Sequence, residues 1–447
     1  MALENLVLPI FAGLTWLIAQ TAHQELKWPF IDEIFHLRQC ATYCAHQFSK
    51  WDNKITTPPG LYLLGTWYHH FLSAIGIQDS CGATALRSLN LLGGVVALPL
   101  ALSLVPTNNF WKVNVISLPL LYTYYFLFYT DVWSTILVVL PLLTVLKHRS
   151  LKGAVYANLA GFASLWLRQT NIVWISFVGV VLIDKRKQKA TSFYQQIHNF
   201  VVQCFRDWVI LIPFAVNAFL FVAFVYVNGG ITFGDKENHQ ITLHLVQVFY
   251  CAAFITFFTL PVWLSVKTLK KYVQFTVTGR KGLNLLLTIA SFVAINHIIK
   301  HYTVVHPFLL ADNRHYTFYI YRKILSKPWA NLVTVPAYHF SSWVIIHSLQ
   351  ESYHSSMLSL HPLSIIALVL SATATLIPSP LFEPRYYIVP LVISRIFMVP
   401  QNERLSRTAS HTLEFVWYST INALFFVVFF TYKFSWLTEP GVQRIIW

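Results

Sequence analysis

The chain has 447 residues, of which 56% are apolar and only 11% charged, with a mean hydropathy of +0.54. Soluble domains carry about 25% charged residues, so this composition excludes a row of water-solvated domains and indicates an integral membrane protein with α-helical spans. The net charge of +15, from 32 Lys and Arg against 17 Asp and Glu, reflects basic inter-span loops and does not argue for a nucleic-acid partner.

Apolar segments fall at 5–21, 60–77, 84–105, 114–130, 132–147, 153–168, 170–183, 208–228, 245–265, 284–300, 331–350, 357–378, 386–399 and 413–432. A bilayer asks for roughly 20 residues per helix, so about 12–14 segments are expected, the shorter ones tilted or re-entrant. Leu6–Thr21 has neither a basic leader nor a small-residue cleavage site and reads as a retained first span. The predicted fold is therefore an all-α multi-pass membrane protein, one domain over 1–447.

The first long polar stretch, 22–59, carries Ile31-Asp32-Glu33-Ile34-Phe35-His36-Leu37-Arg38-Gln39. Apolar and charged residues interleave there as in an interfacial amphipathic helix. Asp32 and His36 share a face, and a carboxylate at that edge can take a proton from a sugar hydroxyl. A solvated helix start, where acids are favoured electrostatically, is the plainer reading. Trp51-Asp52-Asn53-Lys54-Ile55-Thr56-Thr57-Pro58-Pro59-Gly60 follows; Pro-Pro-Gly turns the chain, while Trp51, Asp52 and the threonines are side chains that stack on and hydrogen-bond to sugars.

The five cysteines at 40, 44, 81, 204 and 251 are too few and scattered to predict a disulfide framework. His36, Cys40 and Cys44 would stack on one helix face as soft-metal ligands do. A packed face of small thiols explains them equally simply, and no metal is expected.

Two strongly basic loops, Asp184–Lys189 and Lys267–Lys281, are expected to be cytoplasmic. Counting spans from them puts Asp131, Arg168–Asn171, 229–243, 301–330 and Glu383–Tyr387 on the opposite face. It brings 22–59 there as well only if one segment within 60–130 fails to cross, for which 60–77 is the expected one. Three Arg-centred polar clusters then share that face: Arg168-Gln169-Thr170-Asn171, His306–Tyr319 with Asn313, Arg314 and His315, and Glu383-Pro384-Arg385-Tyr386-Tyr387. A membrane-edge Arg commonly snorkels, but three such clusters together can clamp a phosphate and neutralise it as a leaving group.

Asp32–Gln39, the Ile55-Thr56-Thr57-Pro58-Pro59-Gly60-Leu61-Tyr62-Leu63 run, Tyr129-Thr130-Asp131, Arg168–Trp174, Gly234-Asp235-Lys236-Glu237-Asn238-His239, His306–Tyr319 and Glu383–Tyr387 resemble, in order along nearly the whole chain, the dolichyl-phosphate-glucose-dependent α-1,2-glucosyltransferases of N-glycan precursor assembly. The resemblance implies a GT-C type fold in the endoplasmic reticulum membrane, with 22–59 as a long first lumenal loop and a lumen-facing active site. It implies transfer of the third and last glucose from dolichyl-phosphate-glucose to a dolichyl-diphosphate-linked oligosaccharide, without a cofactor, and a catalytic role for the adjacent acids Asp32 and Glu33.

A β-linked donor giving an α-linked product requires inversion, most simply by one displacement with one general base. Asp32 is expected to be that base, with Glu33 orienting or replacing it. Arg314, His315, Arg385 and, less centrally, Arg168 are expected to bind the donor phosphate. Trp51, Asp52, Asp131, Gln169, Asn171, Asp235 and Asn313 are expected to meet the sugars. Another lipid-sugar-dependent mannosyltransferase is the near alternative; a multi-span transporter or scramblase with buried charges is the distant one.

Overall fold

The computed structural model describes residues 2–188, 192–237, 240–279, 282–355, 358–437 and 441–447. Lys189, Asn238, His239, Arg280 and Lys281, which belong to the motifs above, lie outside these ranges. Helices dominate, as the apolar pattern predicts. The strands among the described residues are an antiparallel pair, Phe434–Ser435 with Val442–Gln443.

Among the described residues five helices are long and apolar enough to cross a membrane: Glu4–Glu25, Ala83–Leu102, Trp208–Asn228, Leu283–Tyr302 and Arg407–Thr431. Gln247–Phe258 and Pro362–Leu376 are apolar but shorter. In Trp208–Asn228 and Leu283–Tyr302 only 11% of the apolar window is buried inside the protein, so the outward faces of these helices require lipid as their solvent.

The chain divides into two compact units, Met1–Ile116 with Leu121–His239, and Ser117–Leu120 with Gln240–Trp447. In the first, Asp131–Lys147 and Leu151–Leu165 form a helical hairpin. Ser150 sets its turn by accepting the Gly153 amide at the head of the second helix. Asn171–Arg186 packs beside the pair, and Asn217 of the lipid-facing span donates to Asn158 Oδ1 at 2.9 Å. An interhelical amide bond of this kind contributes about 0.6 kcal/mol in a membrane.

The apolar segment 114–130 departs from expectation. It is no single span but three pieces, Asn109–Ile116, Pro119–Thr123 and a 3-10 turn at Tyr124–Phe126. Pro119 has no amide to continue a helix, and the released carbonyls find partners in the protein. Asn90 Nδ2 donates to the carbonyls of Leu127 and Tyr129 at 2.7 and 2.8 Å, and the Tyr125 hydroxyl to that of Ile116 at 2.8 Å. Irregular backbone is tolerated at membrane depth when it is enclosed in this way. Gly60–Ala74, the segment expected not to cross, is a 15-residue helix, shorter than the roughly 20 residues a bilayer needs.

In the second unit the fully buried Arg395, on helix Ile388–Phe397, forms an ion pair with the fully buried Glu414 on Arg407–Thr431. The Tyr418 hydroxyl also donates to Glu414, at 3.0 Å. Arg444 folds back to donate to the carbonyls of Phe429 and Phe430, placing a cation where the helix C-terminus carries partial negative charge.

Candidate active site

The acidic helix begins as its sequence predicts, at Glu33–Cys44. Immediately before it Ile31 has φ 52, a left-handed backbone that a β-branched residue resists. That kink separates the two acids by environment. Glu33 is fully buried, and its Oε1 accepts from Arg87 Nε at 2.9 Å and the Phe128 amide at 2.8 Å. Its Oε2 accepts from Arg87 Nη2 at 2.6 Å and the Phe30 amide at 3.0 Å. Arg87 also donates to the carbonyls of Leu26 and Trp28. Asp32 is half-buried, stands at the N-cap position and does not spend its side chain capping the helix.

The rest of the helix is fixed by aromatic neighbours. His36 Nδ1 and the Tyr62 hydroxyl share a 2.8 Å hydrogen bond, and Tyr129 donates to the carbonyl of Phe30. Gln39 clamps the following turn, donating to the Lys50 carbonyl and accepting the Asp52 amide. Cys44 is disulfide-bonded to Cys81 across a sequence separation of 37, a pairing that the spacing of the cysteines did not reveal. Cys40, Cys44 and Cys81 cluster, but the disulfide removes two thiolates from any soft-metal set.

Around this helix the first unit gathers several of the sequence motifs. Arg168 Nη2 meets Asp131 Oδ1 at 2.8 Å while its Nε donates to the Thr130 hydroxyl. Gln169 donates to the carbonyl of Thr56 at 2.8 Å, and the Gly60 amide donates to that of Trp166 at 2.7 Å. Segment 233–235 runs along the Trp51–Gly60 turn: the Phe233 and Asp235 amides donate to the carbonyls of Thr56 and Asn53. Gly234 is required there, since a Cβ would stand 2.3 Å from the Asn53 oxygen. Asp235 itself has φ 46.

Trp51 packs on Tyr62 and Phe233, and its buried Nε1 has no hydrogen-bond partner among the described residues. A buried indole donor left so is a place for a ligand oxygen. Asp52 Oδ1 accepts the Lys54 amide, which makes it a turn former first. Asn171 is buried, with its amide donating to Ser134 and Ser164.

The second unit holds the other motifs. Arg314 is gripped by Asp312 through its Nε and Nη2 at 2.8–3.2 Å, donates to Gln443 and lies 4.2 Å over the Trp436 ring. Asn313 Oδ1 accepts the Trp436 indole. His315 Nε2 is 3.8 Å from Asp312, and its backbone forms a parallel bridge with Ile446. Arg385 pairs with Glu383 and lies over Tyr386. Segment 377–387 is itself held by 242–247. The Thr242 and His244 amides donate to the carbonyls of Pro378 and Ile377, and buried Gln247 donates to the Leu381 carbonyl while accepting the Tyr387 hydroxyl. Sequence reasoning missed Arg87, Gln247 and the 441–447 tail, because each acts through a partner far away in the chain.

Residues 26–396 match the model of the DIE2/ALG10 family. A protein of Debaryomyces hansenii named Dol-P-Glc:Glc(2)Man(9)GlcNAc(2)-PP-Dol alpha-1,2-glucosyltransferase is 48% identical, over 98% of this chain and 97% of its own length. Proteins of the same name from Candida albicans and Homo sapiens are 44% and 30% identical, over 92% and 95% of this chain and 92% and 94% of their own lengths. No solved structure matches the chain.

Proposed function

We infer, since the chain belongs to the DIE2/ALG10 family, that it transfers the terminal glucose from dolichyl-phosphate-glucose in α-1,2 linkage onto the diglucosylated, dolichyl-diphosphate-linked oligosaccharide used for protein N-glycosylation. The observation that carries this reading is near-half identity, over almost the full length of both chains, to a protein of that name. The same reading makes the protein a GT-C type enzyme of the endoplasmic reticulum membrane, acting as one domain. It also makes 22–59 a lumenal loop, which the Cys44–Cys81 disulfide supports, because such bonds persist in oxidising compartments.

Asp32 is the general base: it takes the proton of the acceptor 2-hydroxyl as that oxygen bonds to glucose C1, while the bond from C1 to the phosphate oxygen breaks on the opposite face and dolichyl phosphate leaves. Four hydrogen-bond donors saturate Glu33, so it positions the turn that presents Asp32 and does not exchange protons. Arg168 orients Asp131 for a sugar hydroxyl, Trp51 offers its indole donor, and Gln169 and Asn171 hold the loops that carry these groups. Asp52 and Asp235 shape the sugar-facing turn. Arg314, His315 and Arg385, with Asn313 beside them, receive the leaving phosphate.

The test is reconstitution of the purified chain with dolichyl-phosphate-glucose and the diglucosylated acceptor, followed by linkage analysis. One added α-1,2 glucose is expected. No transfer by folded protein, or a requirement for a mannosyl donor, refutes the reading.

A further inference from the structure

We propose that a pocket of about 300 Å³ in the second unit binds the phosphate end of a polyprenyl phosphate, with Lys300 as its cation. The proposal rests on the reading of the chain as a user of a lipid-phosphate sugar, and it supplies that reading with a charge that the sequence motifs lack. Arg314 and Arg385 each share their charge with a carboxylate two positions earlier, Asp312 and Glu383, so the phosphate they receive calls for a further cation. Lys300 lines the pocket and has no hydrogen-bond or ion-pair partner among the described residues.

The rest of the lining fits the same ligand. None of the lining is acidic among the described residues, whose charge there is therefore net positive. Tyr321 and Tyr338 line it as well, and neither hydroxyl has a hydrogen-bond partner among the described residues, which leaves two donors for phosphate oxygens. Val246, Ile299 and Leu325 form apolar wall, useless to free phosphate and suited to the first isoprene unit. Lys300 stands in the last turn of Leu283–Tyr302, a helix that presents most of its apolar surface outward. A phosphate carried on a membrane-dissolved chain reaches that depth directly. Snorkelling also puts lysines at span ends, but it requires neither a cavity nor tyrosines lining it.

The experiment uses the purified full chain in detergent, with dolichyl phosphate as probe and dolichol, phosphatidic acid and inorganic phosphate as comparisons. Charge-assisted hydrogen bonds contribute roughly 1.5–3 kcal/mol each. Lys300→Met is therefore expected to raise the donor KM and the inhibition constant of dolichyl phosphate about tenfold or more, with the acceptor KM unmoved. Lys300→Arg should recover most of the loss. Should Lys300→Met fail to fold, Tyr321→Phe is expected to shift the same two constants in the same direction.

Equal inhibition of wild type and Lys300→Met by dolichyl phosphate overturns the pocket assignment while leaving glucosyl transfer intact. Equal potency of inorganic phosphate or phosphatidic acid overturns the polyprenyl part. Thermal stabilisation by dolichyl phosphate is read separately. If wild type transfers no glucose yet is stabilised, and Lys300→Met is not, the pocket stands and the enzymatic reading falls; stabilisation of neither overturns the pocket.

Discussion

Replacing each of the two adjacent acids by its amide separates chemistry from architecture. In Glu33→Gln one carboxylate oxygen becomes an NH2 group. Oε1 faces Arg87 Nε and the Phe128 amide, while Oε2 faces Arg87 Nη2 and the Phe30 amide, so either orientation sets the new donor against two donors and leaves the buried guanidinium without its counter-ion. Breaking a buried pair on one side costs about 3–5 kcal/mol, a large share of a typical stability of about 5–15 kcal/mol. Asp32→Asn changes a half-buried side chain outside that buried pair and should cost less stability than Glu33→Gln, while losing on the order of 10²–10⁴-fold in turnover as the base disappears.

The assay is a thermal melt in detergent beside kcat per folded molecule. The expected pattern is crossed: Asp32→Asn melts closer to wild type but is inactive, whereas Glu33→Gln is poorly stable and active to the extent that it is folded. A double replacement, Glu33→Gln with Arg87→Met, should recover part of the stability, because both charges are then gone. Wild-type melting of Glu33→Gln without turnover would transfer the base to Glu33 and refute the reasoning, and so would normal activity of folded Asp32→Asn.

Reduction of the Cys44–Cys81 bond, or Cys44→Ser, should cost about 4 kcal/mol from the loop-closure entropy of its 37-residue separation, seen as a lower Tm in reducing buffer, a dependence on reductant that Cys44→Ser no longer shows. Gly234→Ala would place a Cβ 2.3 Å from the Asn53 oxygen and 2.6 Å from that of Ile55. Separating 233–235 from the Trp51 turn should lower kcat/KM by roughly 10²-fold, as displacements of about 1 Å at a site do, with secondary structure by circular dichroism unchanged. His244 is fully buried, and that burial pulls its imidazole down to about 4, the nearby Ser379 and Pro380 carbonyls working against it. A histidine held neutral stabilises fully above the unfolded value of about 6.5, and the contribution is lost as pH falls from there toward the folded value, by about 1.4 kcal/mol per pH unit. Melts of wild type and His244→Gln between those limits should diverge, the variant having the flatter profile.

Membrane character, helical class and the segments bearing the polar clusters were legible because they depend on local runs: hydropathy over a span, or an acid beside an apolar stripe as in Asp32–Gln39. What was not legible depends on partners distant in sequence. Nothing beside Glu33 announces Arg87, and the two acids look interchangeable until the folded chain buries one and leaves the other half-exposed. Averaged hydropathy also hid the breaks in 114–130, since enclosure by protein and enclosure by lipid select the same apolar residues there. Lys300 drew no notice because a single lysine after an apolar run is common, and only the folded chain surrounds it with tyrosines.

The Arg395–Glu414 contact bears on how the protein is made. Each residue alone would bring an uncompensated charge into lipid, at about 2.5–3.5 kcal/mol on insertion scales, whereas the joined pair enters neutral. Helices Ile388–Phe397 and Arg407–Thr431 are separated only by residues 398–406, so the second follows the first out of the ribosome within seconds at about 5–20 residues per second. The two are thus expected to partition into the bilayer together, as one hairpin closed by its own charges, and a lesion at either position should show first as failed integration during biosynthesis.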